Sequence, residues 1–196
     1  MTQYITNSLQ QFFEKITVEC LANGYKYYFF EKIPEGKNVD EVDEKIAQTF
    51  DFDYEPPKVF RLLDNPQPQF KYVRYENYYF LAATNGYIDE KFHRKETKDI
   101  GRNSISFKGY TISMNTPNNP NITINKRKWK RIVRLADRII YHDHKVVQRF
   151  VNRLDFISNS KKLDFQSITE QQQRLIDRIN NKRKEVRLPS VTFNKP

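Results

Sequence analysis

Three acidic residues stand at alternate positions shortly before a Pro-Pro pair. Asp51, Asp53 and Glu55 are separated by single aromatic residues. On an extended strand alternate side chains share one face, so the three carboxylates would lie together. Carboxylate oxygens are suitable ligands for Mg²⁺ in phosphodiester cleavage. The pattern is a candidate metal site of a nuclease, and its alternative is an ordinary acidic helix end before the turn at Pro56-Pro57.

A second acidic arrangement has the composition of a nuclease site. Asp64 is followed at a distance by Asp89 and Lys91, and an Asp-x-Lys pattern after a strand can hold a metal ion and position a water. The pattern is short and common in proteins. Either acidic arrangement would require Mg²⁺, and without nuclease activity we expect no cofactor.

The run Tyr141-His142-Asp143-His144 places a tyrosine beside two histidines. A tyrosine nucleophile beside metal-binding histidines is the chemistry of rolling-circle nicking enzymes, which hold two histidines around an apolar residue on a strand. Here Asp143 separates the histidines and the neighbourhood is helical. A helix break with Asp143 as N-cap explains the run better. Cys20 has no partner in the pattern and is expected to be buried.

Basic residues recur along two predicted helices of the C-terminal half. Several of them follow one another at four-residue steps, which places their charges in a row along one helix edge, where they can follow phosphates. An ordinary solvated surface mixes both signs of charge, whereas acidic residues are few here. The candidate phosphate-binding residues are Lys126, Arg127, Lys128, Lys130, Arg131, Arg134, Arg138, Arg174, Arg178, Lys182, Arg183, Lys184 and Arg187.

Aromatic and basic residues alternate in the segment Phe70 to Tyr75. On a strand Tyr72 and Arg74 face the same way, and together they could stack on exposed nucleobases. The alternative is that the aromatic residues of this strand belong to the core.

The remaining patterns define the elements that position these residues. An apolar spacing of three to four predicts a helix from Tyr4 to Leu21 that ends at Asn23-Gly24, and Val39 to Phe50 resembles a short acidic helix. Glu76-Asn77 has the length of a tight hairpin link. The predicted strands are Tyr25 to Ile33, Val59 to Leu63, Phe70 to Tyr75, Tyr78 to Thr84 and Ser104 to Ser113.

Loops and helices are predicted for much of the remaining chain. Tyr87 to Arg102 is expected to be a surface excursion, and Asn115 to Asn121 a loop. One apolar stripe runs from Trp129 to Leu154, with a gap at Asp143 that indicates either a helix break capped by this residue or a buried acid. A capping box at Ser167 to Glu170 predicts the start of a last helix, which Leu188-Pro189 should end.

We therefore predict an α+β fold: a mainly antiparallel sheet of four or five strands, an N-terminal helix and a basic helical C-terminal part. The 196 residues are expected to form a single domain, with a sheet-rich acidic part at 1–114 and a basic helical part at 122–188.

Charge is distributed unevenly within a net charge of +10. Residues 101–196 hold 21 Lys and Arg against 7 Asp and Glu, which gives +14, whereas residues 1–100 hold 13 against 17. Such a field attracts polyanions. Apolar runs are too short for a membrane span, no secretory signal is evident, and one cysteine excludes an internal disulfide. A cytoplasmic protein without a membrane partner is expected.

Several blocks resemble motifs of an uncharacterised bacterial family of small basic proteins. This resemblance implies no activity and no site residue. The blocks are Lys32 to Lys37, Tyr72 to Tyr75, Leu81 to Gly86, Phe107 to Ile112, and Gln173 with Asn180 to Lys184.

The patterns leave three functions open. The first is a protein that grips the phosphate backbone of DNA or RNA through its basic C-terminal helices. The second is a metal-dependent nuclease or nicking enzyme of a mobile element. The third is an RNA-binding subunit of a larger assembly, with a protein partner on its acidic half.

Overall fold

The computed structural model describes residues 4–50, 68–84, 97–154 and 166–193. It has the α+β class predicted from the sequence, with mainly antiparallel sheets, an N-terminal helix and helices in the C-terminal part. The chain divides into two compact units, Met1–Ile105 with Ile112–Asn121 and Ser106–Thr111 with Ile122–Pro196. The expectation of a single domain stays a prediction.

The first unit begins with a short strand and a helix. Strand β1 (Ile5–Thr6) precedes α1 (Leu9–Glu14), which continues as π-helix over Lys15–Cys20 and as 3-10 helix over Leu21–Asn23. The Ser8 hydroxyl caps α1 by accepting a hydrogen bond from the Gln11 amide at 3.1 Å. The predicted helix is thus confirmed except for its first residues, and it ends before Gly24, whose φ of 86° suits glycine.

Five strands among the described residues form the sheet of the first unit, in the order β1-β3-β4-β2-β5. Strand β1 is parallel to β3, and the other pairs are antiparallel. The strands after β1 are β2 (Tyr27–Lys32), β3 (Phe70–Tyr75), β4 (Tyr78–Ala83) and β5 (Lys98–Asp99). Tyr75 pairs with Tyr78 across the predicted Glu76-Asn77 hairpin link. Edge strand β5 lies in the predicted surface excursion, and the predicted strand Val59 to Leu63 lies outside the described residues.

Helices cover both faces of this sheet. Helix α2 (Val39–Phe50) has the predicted bounds, and its apolar residues pack against a buried cluster that includes Phe29, Tyr72 and Leu81. On the opposite face the ring of Phe12 in α1 packs on Phe30 and Tyr75. The aromatic residues of β2 to β4 therefore serve mainly as core.

A second sheet has three strands among the described residues, in the order β6-β7-β8. The strands are β6 (Ile105–Phe107), β7 (Tyr110–Thr116) and β8 (Asn119–Ile124). Two predictions were wrong here. Ser104 to Ser113 is interrupted by a turn at Lys108-Gly109, where both φ angles are positive, as a tight hairpin requires. The predicted loop Asn115 to Asn121 is mostly strand, because only Pro117-Asn118 forms the turn between β7 and β8, with Asn118 at φ 60°.

Three helices lie in the described residues of the second unit: α3 (Lys126–Ile139), α4 (His144–Asn152) and α5 (Gln166–Glu185). The Asp143 carboxylate caps α4 by accepting from the Lys145 amide at 2.8 Å, so the predicted helix break is confirmed and the acid is not buried. Ser167 lies inside α5, so its prediction as the N-cap was wrong. The core of the unit comprises Ile132, Ala136, Ile140, Val147, Val151, Leu175, Ile176, Ile179 and Val191.

Helix α5 ends earlier than predicted, at Glu185 instead of Leu188-Pro189. The Leu188 amide donates to the Arg183 carbonyl at 2.9 Å, and the Arg187 amide donates to the Lys184 carbonyl at 3.1 Å. These two bonds form a Schellman motif, in which Arg187 adopts the left-handed conformation at φ 56°.

Three amide side chains pair with backbone in the same way. Gln171 donates to the carbonyl of Ile124 and accepts from its amide, at 3.3 and 2.8 Å. Asn180 pairs with both groups of Val191, and Gln148 with both groups of Thr192. These pairs, which we call the amide pairs, attach β8 to α5 and the segment around Val191 to α5 and α4.

No helix among the described residues combines the length and the apolar character that crossing a lipid bilayer requires.

Candidate nucleic-acid interface

Helix α3 presents four arginines on its solvent side. Arg127, Arg131, Arg134 and Arg138 are all exposed, and at about 100° per residue they fall within about 60° of arc, opposite the buried residues of the helix. Successive arginines are about 5 to 6 Å apart along the axis, and the set spans about 16 Å. We call these four residues the arginine row.

No carboxylate pairs with the arginine row among the residues that the structure describes. Helix α3 contains one acid, Asp137, and that residue binds cations of α5 instead. Lys126 and Lys130 are also exposed on α3. The solvent side of this helix is therefore cationic along its length, and its charges can be satisfied by an external polyanion.

Helix α4 also presents exposed cations, and these were not among the residues predicted to bind phosphate. Lys145, Arg149 and Arg153 are exposed and follow one another at four-residue steps, opposite the buried residues Val147 and Val151. The signal was present in the sequence, since the spacing is the one that singled out α3 and α5. These three residues form the α4 row.

Two cations of α5 connect this helix to α3. The Arg178 guanidinium binds the Asp137 carboxylate with two hydrogen bonds of 3.0 and 2.9 Å, and the Lys182 ammonium binds it at 3.1 Å. The hydrogen bonds from Arg178 and then Lys182 hold the pKa of Asp137 below its usual value. Both cations were predicted to bind phosphate, and in the structure they are engaged by a carboxylate.

Arg183, also predicted to bind phosphate, is completely buried. Its Nη1 donates to the carbonyls of Ile140 and His142 at 2.7 and 3.0 Å, and its Nε donates to the Pro189 carbonyl at 2.7 Å. The side chain is thus unable to reach a surface ligand. Arg183 fixes the turn between α3 and α4, and we remove it from the candidate interface.

The other predicted cations differ in exposure. Lys128 is half-buried, with its ammonium 4.2 Å from the centre of the Tyr110 ring. Arg174 is exposed and lies 3.6 Å from Glu170. Lys184 and Arg187 are exposed near the end of α5. Helix α5 therefore presents fewer unpaired charges than α3.

The proposed base-stacking pair is not available at the surface. Tyr72 is 2% exposed and donates a hydrogen bond to the Asp43 carboxylate, and Arg74 binds the same carboxylate at 2.7 Å. Burial, and then the bond to Asp43, raise the pKa of Tyr72 well above its ordinary value. The two residues attach α2 to β3, so the core alternative explains them.

The described residues contain no cluster that could hold a catalytic metal ion. Asp51, Asp53, Glu55, Asp64, Asp89 and Lys91 all lie outside the described part of the chain. Within that part no group of three or more His, Cys, Asp and Glu residues is placed to hold a metal ion. Burial raises the pKa of Cys20 to about 12, so its thiol is a poor nucleophile at neutral pH.

Comparisons with known proteins add no assignment to this surface. The chain matches no protein-family model, and no curated protein gives a significant match.

Proposed function

We propose that the protein binds the phosphate backbone of nucleic acid through the arginine row of α3 and the α4 row. The observation that carries this proposal is the arginine row itself: four exposed arginines, one on each successive helical turn, have no carboxylate partner among the described residues. Arginine suits this task because its planar guanidinium can donate two hydrogen bonds to one phosphate.

The chemistry of such an interface is electrostatic. Each cation that meets a phosphate releases condensed counterions, so the affinity falls as salt rises, with a log-log slope of about 0.9 per phosphate contact. Backbone contacts carry no base information, and the proposal therefore includes both DNA and RNA. The +14 charge of residues 101–196 favours rapid association with either.

Contacts within the second unit favour phosphate binding by α3. Asp137 is the only acid of α3, and its engagement by Arg178 and Lys182 removes the carboxylate that could have competed with phosphate on this helix. The Asn125 side chain caps α3 by accepting from the Lys128 amide at 2.8 Å. A rigid helix loses little conformational entropy when it binds, which raises affinity.

Salt-dependent binding of a labelled oligonucleotide tests the proposal. We expect the triple variant R127E/R131E/R134E to weaken binding strongly and to lower the log-log salt slope by about three units. The matched control is K37E/K45E/K98E, which changes the net charge equally at exposed lysines of the first unit. Equal losses in the two variants would show that total charge drives binding and that α3 is not the interface.

The two alternatives remain predictions. A nuclease would depend on carboxylates outside the described residues, and plasmid nicking with and without Mg²⁺ tests it directly. An assembly subunit would copurify with a defined RNA or protein. A cytoplasmic location belongs to the proposal, and the single, buried Cys20 is compatible with a reducing compartment.

A further inference from the structure

Exposed apolar side chains are concentrated among the cations of the second unit. Among the described residues four large apolar side chains are exposed: Leu135, Tyr141, Val146 and Val186. Three of them lie on α3, on α4 or in the turn between these helices. Tyr141 is the most exposed, at 56%.

Exposed cations flank Tyr141 on both sides in the sequence. Arg138 precedes it by one helical turn, and Lys145 follows it by four residues. Arginine and tyrosine are enriched at protein–protein interfaces as well, so an interface between copies of this chain is the competing interpretation. An aromatic ring beside cations is typical of surfaces that bind nucleobases, because the ring stacks on the base while the cations meet the phosphates.

Tyr141 is also held in place from inside the unit. Nη1 of the buried Arg183 donates to the carbonyls of Ile140 and His142, the residues directly before and after Tyr141. The His142 amide donates to the Ile139 carbonyl at 2.8 Å, and Asp143 caps α4. The backbone on both sides of Tyr141 is therefore fixed, and a stacking base would not have to order it.

We propose that Tyr141 is a stacking platform for an unpaired nucleobase, so that the surface prefers single-stranded nucleic acid or looped RNA to a duplex. This inference rests on the proposed function, since the phosphates of the same strand would lie on the arginine row and the α4 row. In a duplex the base faces are stacked on one another, and Tyr141 has nothing to stack on. The duplex is then held by its phosphates alone.

Two ligands and three variants test this. Fluorescence anisotropy at one salt concentration compares a labelled single-stranded oligonucleotide with a duplex of the same length. Y141A should weaken single-strand binding about tenfold or more while leaving duplex binding and the salt slope unchanged. Y141F keeps the ring and should bind as the unaltered protein does. V186A, which truncates an exposed apolar side chain just after α5, is the control.

The outcomes separate this inference from the proposed function. If the unaltered protein binds both ligands with a salt-dependent affinity and Y141A lowers neither or both equally, the stacking platform is wrong and phosphate binding stands. If the unaltered protein binds neither ligand, both proposals fail. Self-association that Y141A abolishes, measured by sedimentation, would overturn the platform in favour of an interface between copies of this chain. Circular dichroism of each variant should show the unaltered fold, because Tyr141 and Val186 are exposed.

Discussion

Helices α3 and α5 look alike in the sequence and differ in the structure. Both carry arginines and lysines at four-residue steps. In α3 the arginine row faces solvent, whereas in α5 Arg178 and Lys182 bind Asp137 and Arg183 is buried. A cationic side chain on these helices can therefore either bind an external ligand or stabilise the unit itself. The spacing of charges alone does not distinguish these roles, because the position of the buried face decides between them.

The largest effect on stability should come from Arg183. Replacement by Met keeps an apolar stem but leaves the carbonyls of Ile140, His142 and Pro189 without their donors. We expect the free energy of unfolding to fall by about 2 to 4 kcal/mol. Urea unfolding followed through the fluorescence of Trp129, the single tryptophan, measures it. Arg131→Met is the control and should change the value by less than about 0.5 kcal/mol. Equal losses of unfolding free energy in the two variants would contradict the structural role of Arg183.

Charge reversal compares the two helices as binding surfaces. The variant R174E/K184E/R187E changes three exposed cations on α5 or just after it by the same charge as R127E/R131E/R134E changes three on α3. We expect the α3 variant to lose at least about tenfold more affinity for a single-stranded oligonucleotide, since three phosphate contacts are lost there. Titrations at several salt concentrations measure both the affinity and the slope. A larger loss in the α5 variant would move the interface to α5.

Replacement of Asp137 should have a smaller and pH-dependent effect on stability. Its pKa is lowered in the folded state, so the carboxylate stabilises the protein above its unfolded pKa, and this contribution is lost as the pH falls through the lowered value. The Asp137→Asn variant should be less stable at neutral pH by less than about 1 kcal/mol, because the partners are partly exposed. Thermal unfolding at pH 7 and below pH 3.8 measures the difference, which should shrink at the lower pH. A constant difference would contradict the assigned ion pairs.

The smallest effect concerns the end of α5. Arg187 occupies a left-handed position at φ 56°, where glycine has no steric penalty. Arg187→Gly should therefore raise the free energy of unfolding by about 0.5 to 1 kcal/mol. Its effect on nucleic-acid affinity should be slight if α3 carries the interface. Urea unfolding and one anisotropy titration of the same sample decide both points.

The sequence predicted the elements with strong local signals. The apolar periodicity of α2 and the two-residue link at Glu76-Asn77 located a helix and a hairpin, and Asp143 located the break between α3 and α4. The turn at Lys108-Gly109 was missed because the residues on both sides continue a strand-like pattern, and only the backbone conformation shows the reversal.

The candidate interface was predicted only in part. The sequence identified α3 correctly as a basic helix with an apolar stripe, because side chains on one helix follow from local spacing. The burial of Arg183 and the ion pair of Arg178 depend on Ile140, His142 and Asp137, about 40 residues earlier in the chain. Tyr72 was misjudged for a similar reason, since its partner Asp43 lies on a different element. Local patterns carry no information on such long-range partners.

The amide pairs make the second unit sensitive to deamidation. An amide side chain carries a donor and an acceptor, which is why Gln171, Asn180 and Gln148 can each match both polar groups of one backbone residue. Deamidation would turn the donor into a second acceptor. A carboxylate would then face the carbonyl of Ile124, Val191 or Thr192 and repel it. Conversion of any one of these amides to its acid would therefore weaken the attachment of β8 or of the segment around Val191 within this unit.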